Sequence, residues 1–126
     1  MSQPLDLTRT YLHLDAANGA TPIPGGDAFW RAIDPRCEEG RLVCALRYTT
    51  DWGNWERHPD GEELVLLLEG SVDLVLELPE GEQVVELRGR GGALVPRGVW
   101  HRAIVNAPSD VLHVTPGKGT EHRPVA

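Results

Sequence analysis

From residue 40 onward the apolar positions recur with a period of two. Leu42, Cys44, Leu46 and Tyr48 alternate with Val43, Ala45, Arg47 and Thr49, and Val72, Leu74, Leu76 and Leu78 alternate with Asp73, Val75 and Glu77. Successive side chains of an extended chain point to opposite sides, so this period marks half-buried strands. Shorter strand-like runs follow at residues 82–87, 93–95, 99–105 and 111–115. Turn-forming residues separate them: Glu69-Gly70, Pro79-Glu80-Gly81, the glycine-rich stretch from Arg88 to Gly92, and the stretch from Asn106 to Asp110. Strands at such spacing predict an antiparallel sandwich or barrel. The run from Leu64 to Leu68 is apolar on both faces. It is therefore expected to be covered on both sides, by the N-terminal region or by a second subunit.

The first 39 residues follow a different pattern. Residues 8–14 are expected to form a strand. Asp27 is placed to cap a one- or two-turn helix through Phe29, Trp30 and Ile33, which Pro35 closes. The expected organisation is an arm over residues 1–39, carrying the short helix and packed on a barrel over residues 40–126.

At 126 residues the chain has room for one modest core and not for two. Twelve basic residues against nineteen acidic ones give a formal charge of −7. Such a surface repels phosphate backbones, and the scattered Arg88, Arg90, Arg97 and Arg102 make no basic patch to override it, so no nucleic-acid partner is expected. No apolar run approaches the length that crosses a bilayer, so no membrane partner is expected either. The N-terminal residues show neither a basic start nor a signal-length apolar stretch, and a cytoplasmic location is expected. Cys37 and Cys44 are too few for a disulfide framework and read as two buried thiols.

Two segments carry the chemistry. In the first, Trp55-Glu56-Arg57-His58-Pro59-Asp60-Gly61-Glu62-Glu63, residues two apart in an extended chain share a face, so Glu56 and His58 point together. Glu63 is an odd number of positions beyond His58. A turn at Pro59, Asp60 and Gly61 is needed to bring it back to the same side. In the second, Pro96 and Gly98 suit a type I turn, after which Val99, His101, Ala103 and Val105 share one face. His101 is then a lone imidazole on an apolar stripe. Two histidines and one or two carboxylates converging inside a barrel form a recognisable divalent-metal site.

Over about residues 40–116 the sequence resembles the cupins. Their first motif, His-x-His followed by Glu and Gly, is matched by His58, Glu63 and Gly70. Their second, Pro-x-Gly-x-x-His, is matched by Pro96, Gly98 and His101. The position of the first motif histidine holds Glu56, the expected preceding glycine is Thr50, and the motif asparagine falls on Val105. The resemblance implies an all-β, small jelly-roll antiparallel barrel, commonly a homodimer. It also implies one divalent transition metal (Fe, Mn, Ni or Zn) held by His58, Glu63 and His101, with Glu56 either a fourth ligand or a carboxylate released from that role. Carboxylate in place of imidazole makes such a site harder and more anionic, which suits Fe(II) or Mn(II).

The expected function is that of a metal-dependent enzyme, an oxygenase or isomerase, acting on a small organic molecule. The alternative is a non-catalytic small-ligand binder or sensor, with or without metal. His113, on the Val111 and Thr115 face, is expected to be a surface or interface histidine, with a general base near the metal as the other reading. Trp55 and Trp100 should face away from the ligands and serve in packing or dimer contacts. His13 and His122 carry no signal.

Overall fold

Two long strands organise the chain. The computed structural model describes residues 4–126. Its elements are β1 (Thr10–Leu14), β2 (Ala20–Pro24), helix α1 (Asp27–Arg31), a 3-10 helix (Pro35–Glu38), β3 (Arg41–Tyr48) and β4 (Asn54–Arg57). They continue with β5 (Glu63–Leu78), β6 (Gly81–Arg88), β7 (Gly92–Val95), β8 (Trp100–Thr115) and β9 (Glu121–Pro124). Strands β5 and β8 are 16 residues each and pair antiparallel from Leu64 opposite Val114 to Glu77 opposite Trp100. The first half of β5 carries β7 on its free side, and the second half of β8 carries β3, then β1, then β2. The other two halves carry β6 on β5, and β4 then β9 on β8. All of these pairings are antiparallel.

Both long strands bend at mid-length, and the two halves close over one core. Val65, Leu67, Val95 and Val111 from one half meet Val72, Leu74, Leu76, Leu87 and Ala103 from the other. This is a jelly roll, as the family resemblance implies, built from the antiparallel strands that the alternating pattern predicts. Its hydrogen bonding does not close into a full barrel, because β2, β6, β7 and β9 each pair with a single neighbour.

Two of the expected turns are bends inside continuous strands. The register of β5 on β8 shifts between Leu67 and Val72, where Glu69 lies opposite Asp110 and Ser71 opposite Ala107. Gly70 takes φ +110°, and a Cβ there would overlap the Ser109 hydroxyl and the Pro108 carbonyl. The Ser71 N–H donates to Ser109 Oγ at 3.0 Å, and the Ser109 hydroxyl donates to the Ala107 carbonyl at 2.7 Å. The paired bends thus satisfy each other's polar groups and need no chain reversal. Gly70→Ala combines a disfavoured φ with a steric overlap. It is expected to cost about 2–4 kcal/mol and to lower the melting temperature by roughly 10 °C. A calorimetric scan checks this, and an unchanged midpoint would show that the bend relaxes freely.

In the run from Leu64 to Leu68 the structure separates the two faces. Val65 and Leu67 are in the core, whereas Leu64 and Leu66 are half-buried and Leu68 is exposed on the outer side. Strands β1 and β2 extend the sheet beyond β3 instead of lying over this face. The expected cover on both sides is therefore not supplied by the N-terminal region.

The N-terminal strand starts at Thr10, two residues later than expected, after a turn in which the Thr8 N–H donates to Asp6 Oδ1. Gly26, at φ +94°, holds the cap position of α1 instead of Asp27, which is the first helical residue. The helix ends at Arg31. Pro35 opens a 3-10 helix in place of closing α1, and Asp34 Oδ1 accepts from the Arg36 N–H at its start. Tyr11, Ile23, Phe29 and Cys37 pack with Leu42 and Cys44 on the inner side of β3, forming a second, smaller core. The Tyr11 hydroxyl accepts from Trp30 Nε1 at 3.1 Å and so ties the helix to β1. Among the described residues, no helix is long and apolar enough to cross a membrane.

Candidate metal centre

Glu56 lies in β4 and faces His101 of β8 across the ladder, His58 follows the end of β4, and Glu63 opens β5. The Pro59 to Gly61 turn makes this possible, because it reverses the chain between His58 and Glu63, as their odd spacing requires. The His58 carbonyl accepts from the Gly98 N–H at 3.0 Å, joining this loop to the one that precedes His101. One ligand-type atom from each of Glu56, His58, Glu63 and His101 falls within 4.8 Å of all the others.

Each of these side chains is held by its far atom and leaves its near atom free. His101 Nδ1–H donates to the Val99 carbonyl at 3.0 Å. The Thr120 hydroxyl donates to the Gly117 carbonyl, so its oxygen accepts from His58 Nδ1–H at 2.9 Å. Both rings therefore present Nε2 to the centre. Glu63 Oε2 accepts from the Thr115 hydroxyl at 2.5 Å and faces His113 Nδ1 at 3.4 Å, which leaves Oε1 facing inward. Glu56 Oε2 accepts from His122 Nε2 at 3.0 Å, and its Oε1 lies 2.9 Å from His58 Nε2.

His58 Nε2, His101 Nε2 and Glu63 Oε1 are buried without any hydrogen bond of acceptable geometry, on residues only 3%, 0% and 1% exposed. Glu63 Oε1 sits 3.0 Å from His101 Nε2 and 3.5 Å from His58 Nε2. Buried polar atoms are almost always partnered. Three such atoms converging with their far ends tied off is the donor arrangement that a divalent ion completes. The donors present, two imidazoles and two carboxylates, fit an ion of borderline hardness.

The charges of the cluster are coupled. Burial opposes the Glu63 carboxylate, yet the histidines around it outweigh that penalty and hold its pKa well below the usual carboxylate value. Burial likewise opposes the His58 imidazolium, but its contacts with Glu56 and Glu63 prevail and raise its pKa to about 9. Without a metal, the carboxylates beside Nε2 favour the protonated ring. Proton and metal are alternatives at that atom.

Neither any protein-family model nor any curated protein matches the sequence. Solved structures do match the fold. A cupin-2 domain-containing protein from Shewanella frigidimarina superposes with a TM-score of 0.52 at 17% identity, over 60% of this chain and 70% of that one. Hydroquinone 1,2-dioxygenase from Sphingomonas sp., with 4-hydroxybenzoate bound, gives 0.52 at 21% identity over 60% of this chain and 58% of that one. Oxalate decarboxylase from Bacillus subtilis gives 0.54 at 11% identity over 68% of this chain, which spans 24% of that enzyme. This chain has the cupin fold.

Some residues stand apart from the expectations. His113 is buried, not on the surface. Beyond its contact with Glu63, its Nε2 lies 2.9 Å from the Tyr48 hydroxyl. Burial drives the Tyr48 pKa far up, so the phenol stays protonated and shares a hydrogen bond with His113. His122 and Thr120, from the C-terminal segment, support Glu56 and His58. Neither carried a local signal, because both reach the cluster only through the pairing of β9 with β4. Trp55 and Trp100 lie away from the cluster as expected, stacked with Arg57, Arg102 and Arg123 at 4.6–5.1 Å. Trp52 instead packs between the rings of His101 and His113, at 5.8 and 6.1 Å. Cys37 and Cys44 are buried free thiols, and burial pushes the Cys44 pKa up to about 12, which makes it inert.

Thr120→Val removes the acceptor that fixes the His58 tautomer without touching the cluster itself. Outer supports of this kind are worth about 10–100-fold in metal affinity, and a loss of that size is expected in a competition titration with a chelating dye. Unchanged affinity would mean that Thr120 does not orient His58.

Proposed function

We propose that this cupin is a metal-dependent enzyme, an oxygenase or isomerase, acting on a small organic substrate. One divalent transition metal (Fe, Mn, Ni or Zn) is held by His58, Glu63, His101 and Glu56. The observation that carries this reading is the convergence of three buried ligand atoms that face only other members of the cluster. When bound, such an ion supplies Lewis acidity and, for Fe or Mn, redox chemistry.

The chain's own residues do the rest. His101 and His58 are held in the tautomer that offers Nε2, and Thr115 and His113 aim Glu63. His58, Glu63, His101 and Glu56 would hold such an ion, and a substrate could reach it from the cavity. This cavity of about 860 Å³ adjoins the cluster and is walled in part by Tyr48, Trp52 and His113. Tyr48 and His113, bonded to each other, stand beside the substrate's position and link it to Glu63. Apolar side chains make up much of the walls, as they commonly do in small-molecule sites.

Elemental mass spectrometry on untagged protein purified without chelator is expected to find about one divalent ion per chain. Oxygen-uptake and isomerisation assays on the loaded protein follow. An empty protein that also refuses added metal would overturn the reading. A ligand that raises the melting temperature and is recovered unchanged would replace the enzyme with a binding module.

The homodimer belongs to the same proposal. Leu64, Leu66 and Leu68 form an apolar outer face beside Leu94, which is 63% exposed and pairs with Leu64. Leu94→Asp costs the monomer little and is expected to shift sedimentation from dimer to monomer. A wild type that already sediments as a monomer would refute the dimer. Two buried free thiols suit a reducing cytoplasm.

A further inference from the structure

The cavity that adjoins the cluster is lined by more acidic than basic groups. Phe29, Trp30, Ile33, Leu42, Leu46 and Trp52 supply its apolar lining. Its acidic lining consists of Asp34, Glu38, Asp51, Glu56 and Glu63; its histidines, His58, His113 and His122, all face Glu56 or Glu63, and among the described residues no Lys or Arg lines it. Asp34 is neutralised by Arg36 at 2.9 Å, but Arg36 itself does not line the space. The arginines nearest the cluster along the chain, Arg57 and Arg102, are spent elsewhere, stacked on Trp100 and Trp55.

Glu56 sharpens this asymmetry. With a third histidine in its place, a divalent ion beside Glu63 would keep a net positive charge. With Glu56 and Glu63 both ionised, the two carboxylates cancel the ion. An acid entering this space would meet a neutral centre, further carboxylates and no guanidinium to receive it. Burying an ionised group without such a partner is strongly unfavourable.

We propose that the substrate site of this cupin accepts uncharged or cationic, largely apolar organic molecules and rejects carboxylates, phosphates and phosphonates. This rests on the metal-enzyme reading above for the word substrate. The charge preference of the walls rests only on the cavity.

The four tryptophans supply a built-in readout. Trp30 and Trp52 line the cavity, whereas Trp55 and Trp100 do not. A fragment library sorted into anionic, neutral and cationic members is screened by two-dimensional ¹H–¹⁵N NMR against the full chain, once metal-free and once loaded with Zn(II). Neutral and cationic fragments are expected to shift the Trp30 and Trp52 indole signals while leaving Trp55 and Trp100 unmoved. Anionic fragments are expected to bind at least tenfold more weakly than their neutral isosteres, benzoate against benzamide for example, in both forms. Anionic binding equal to or tighter than neutral in either form would overturn the proposal. So would the absence of any neutral or cationic binder. Glu38→Lys, outside the cluster, is expected to bring anionic fragments up by several-fold, and no gain would remove the electrostatic explanation. Failure to load Zn(II) would count against the metal centre alone, because the metal-free arm still reads the walls.

Discussion

Replacing His101 with alanine is expected to empty the site. His101 is fully buried, its Nδ1 is committed to the Val99 carbonyl, and its Nε2 has no partner but the shared centre. Removing Nε2 deletes a direct donor. The loss of affinity should exceed the roughly 100-fold upper range of an outer support, so the ordering His101→Ala below Thr120→Val below wild type is itself a test. Metal content after dialysis should fall from about one ion per chain to near zero, and His58→Ala should behave alike. A purely structural histidine would predict a different result: a lower melting temperature in a protein that still loads. His101→Gln, which fills most of the volume without an imidazole, separates the two. It should restore much of the stability and none of the loading. Full metal content in both alanine variants would end the metal reading.

The sequence made the site legible unevenly, and the physical reasons differ. Alternation exposes which face of β3, β5 and β8 turns inward, and hence that His101 sits on an apolar stripe. The parity of Glu56, His58 and Glu63 shows that a turn must intervene, and Pro59 to Gly61 supply it. What alternation cannot show is a bend that keeps a strand continuous. Gly70 and Ser109 look like turn residues because they are unsuited to regular strand, yet here they meet each other across the ladder and sustain a paired bulge. His113, Thr120 and His122 were hidden for another reason. Each is distant in sequence from Glu56, His58 and Glu63 and reaches them through strand pairings of β8 with β5 and of β9 with β4, which no local pattern encodes. The small N-terminal helix was visible in outline, but its exact limits depend on Gly26 and Asp34, whose capping roles follow from backbone geometry.

The metal-free chain should lose stability as the pH rises through the range in which the loaded chain does not. The His58 pKa is raised in the folded state from its usual value near 6.5 to about 9, burial opposing the imidazolium and Glu56 and Glu63 prevailing over it. A raised folded-state pKa contributes stability that is fully present below the unfolded value and disappears as pH climbs through the folded one. Between about pH 6.5 and 9 this amounts to on the order of 3 kcal/mol, at 1.4 kcal/mol per unit. Glu63 acts in the opposite direction at the acid end, where its depressed pKa contributes stability that is present above the usual carboxylate value and lost as pH falls. In the loaded chain the ion takes the place of the His58 proton and balances the same carboxylates, so the alkaline loss is cancelled. The apparent metal affinity should accordingly rise about tenfold per pH unit up to about pH 9 and level off above it, with close to one proton released per ion bound near neutrality. Paired melting curves with excess chelator and with excess Zn(II), taken from pH 6 to 9.5, measure the divergence, and calorimetry in buffers of different ionisation enthalpy counts the proton. Parallel curves across that range would mean that His58 does not exchange a proton for the ion.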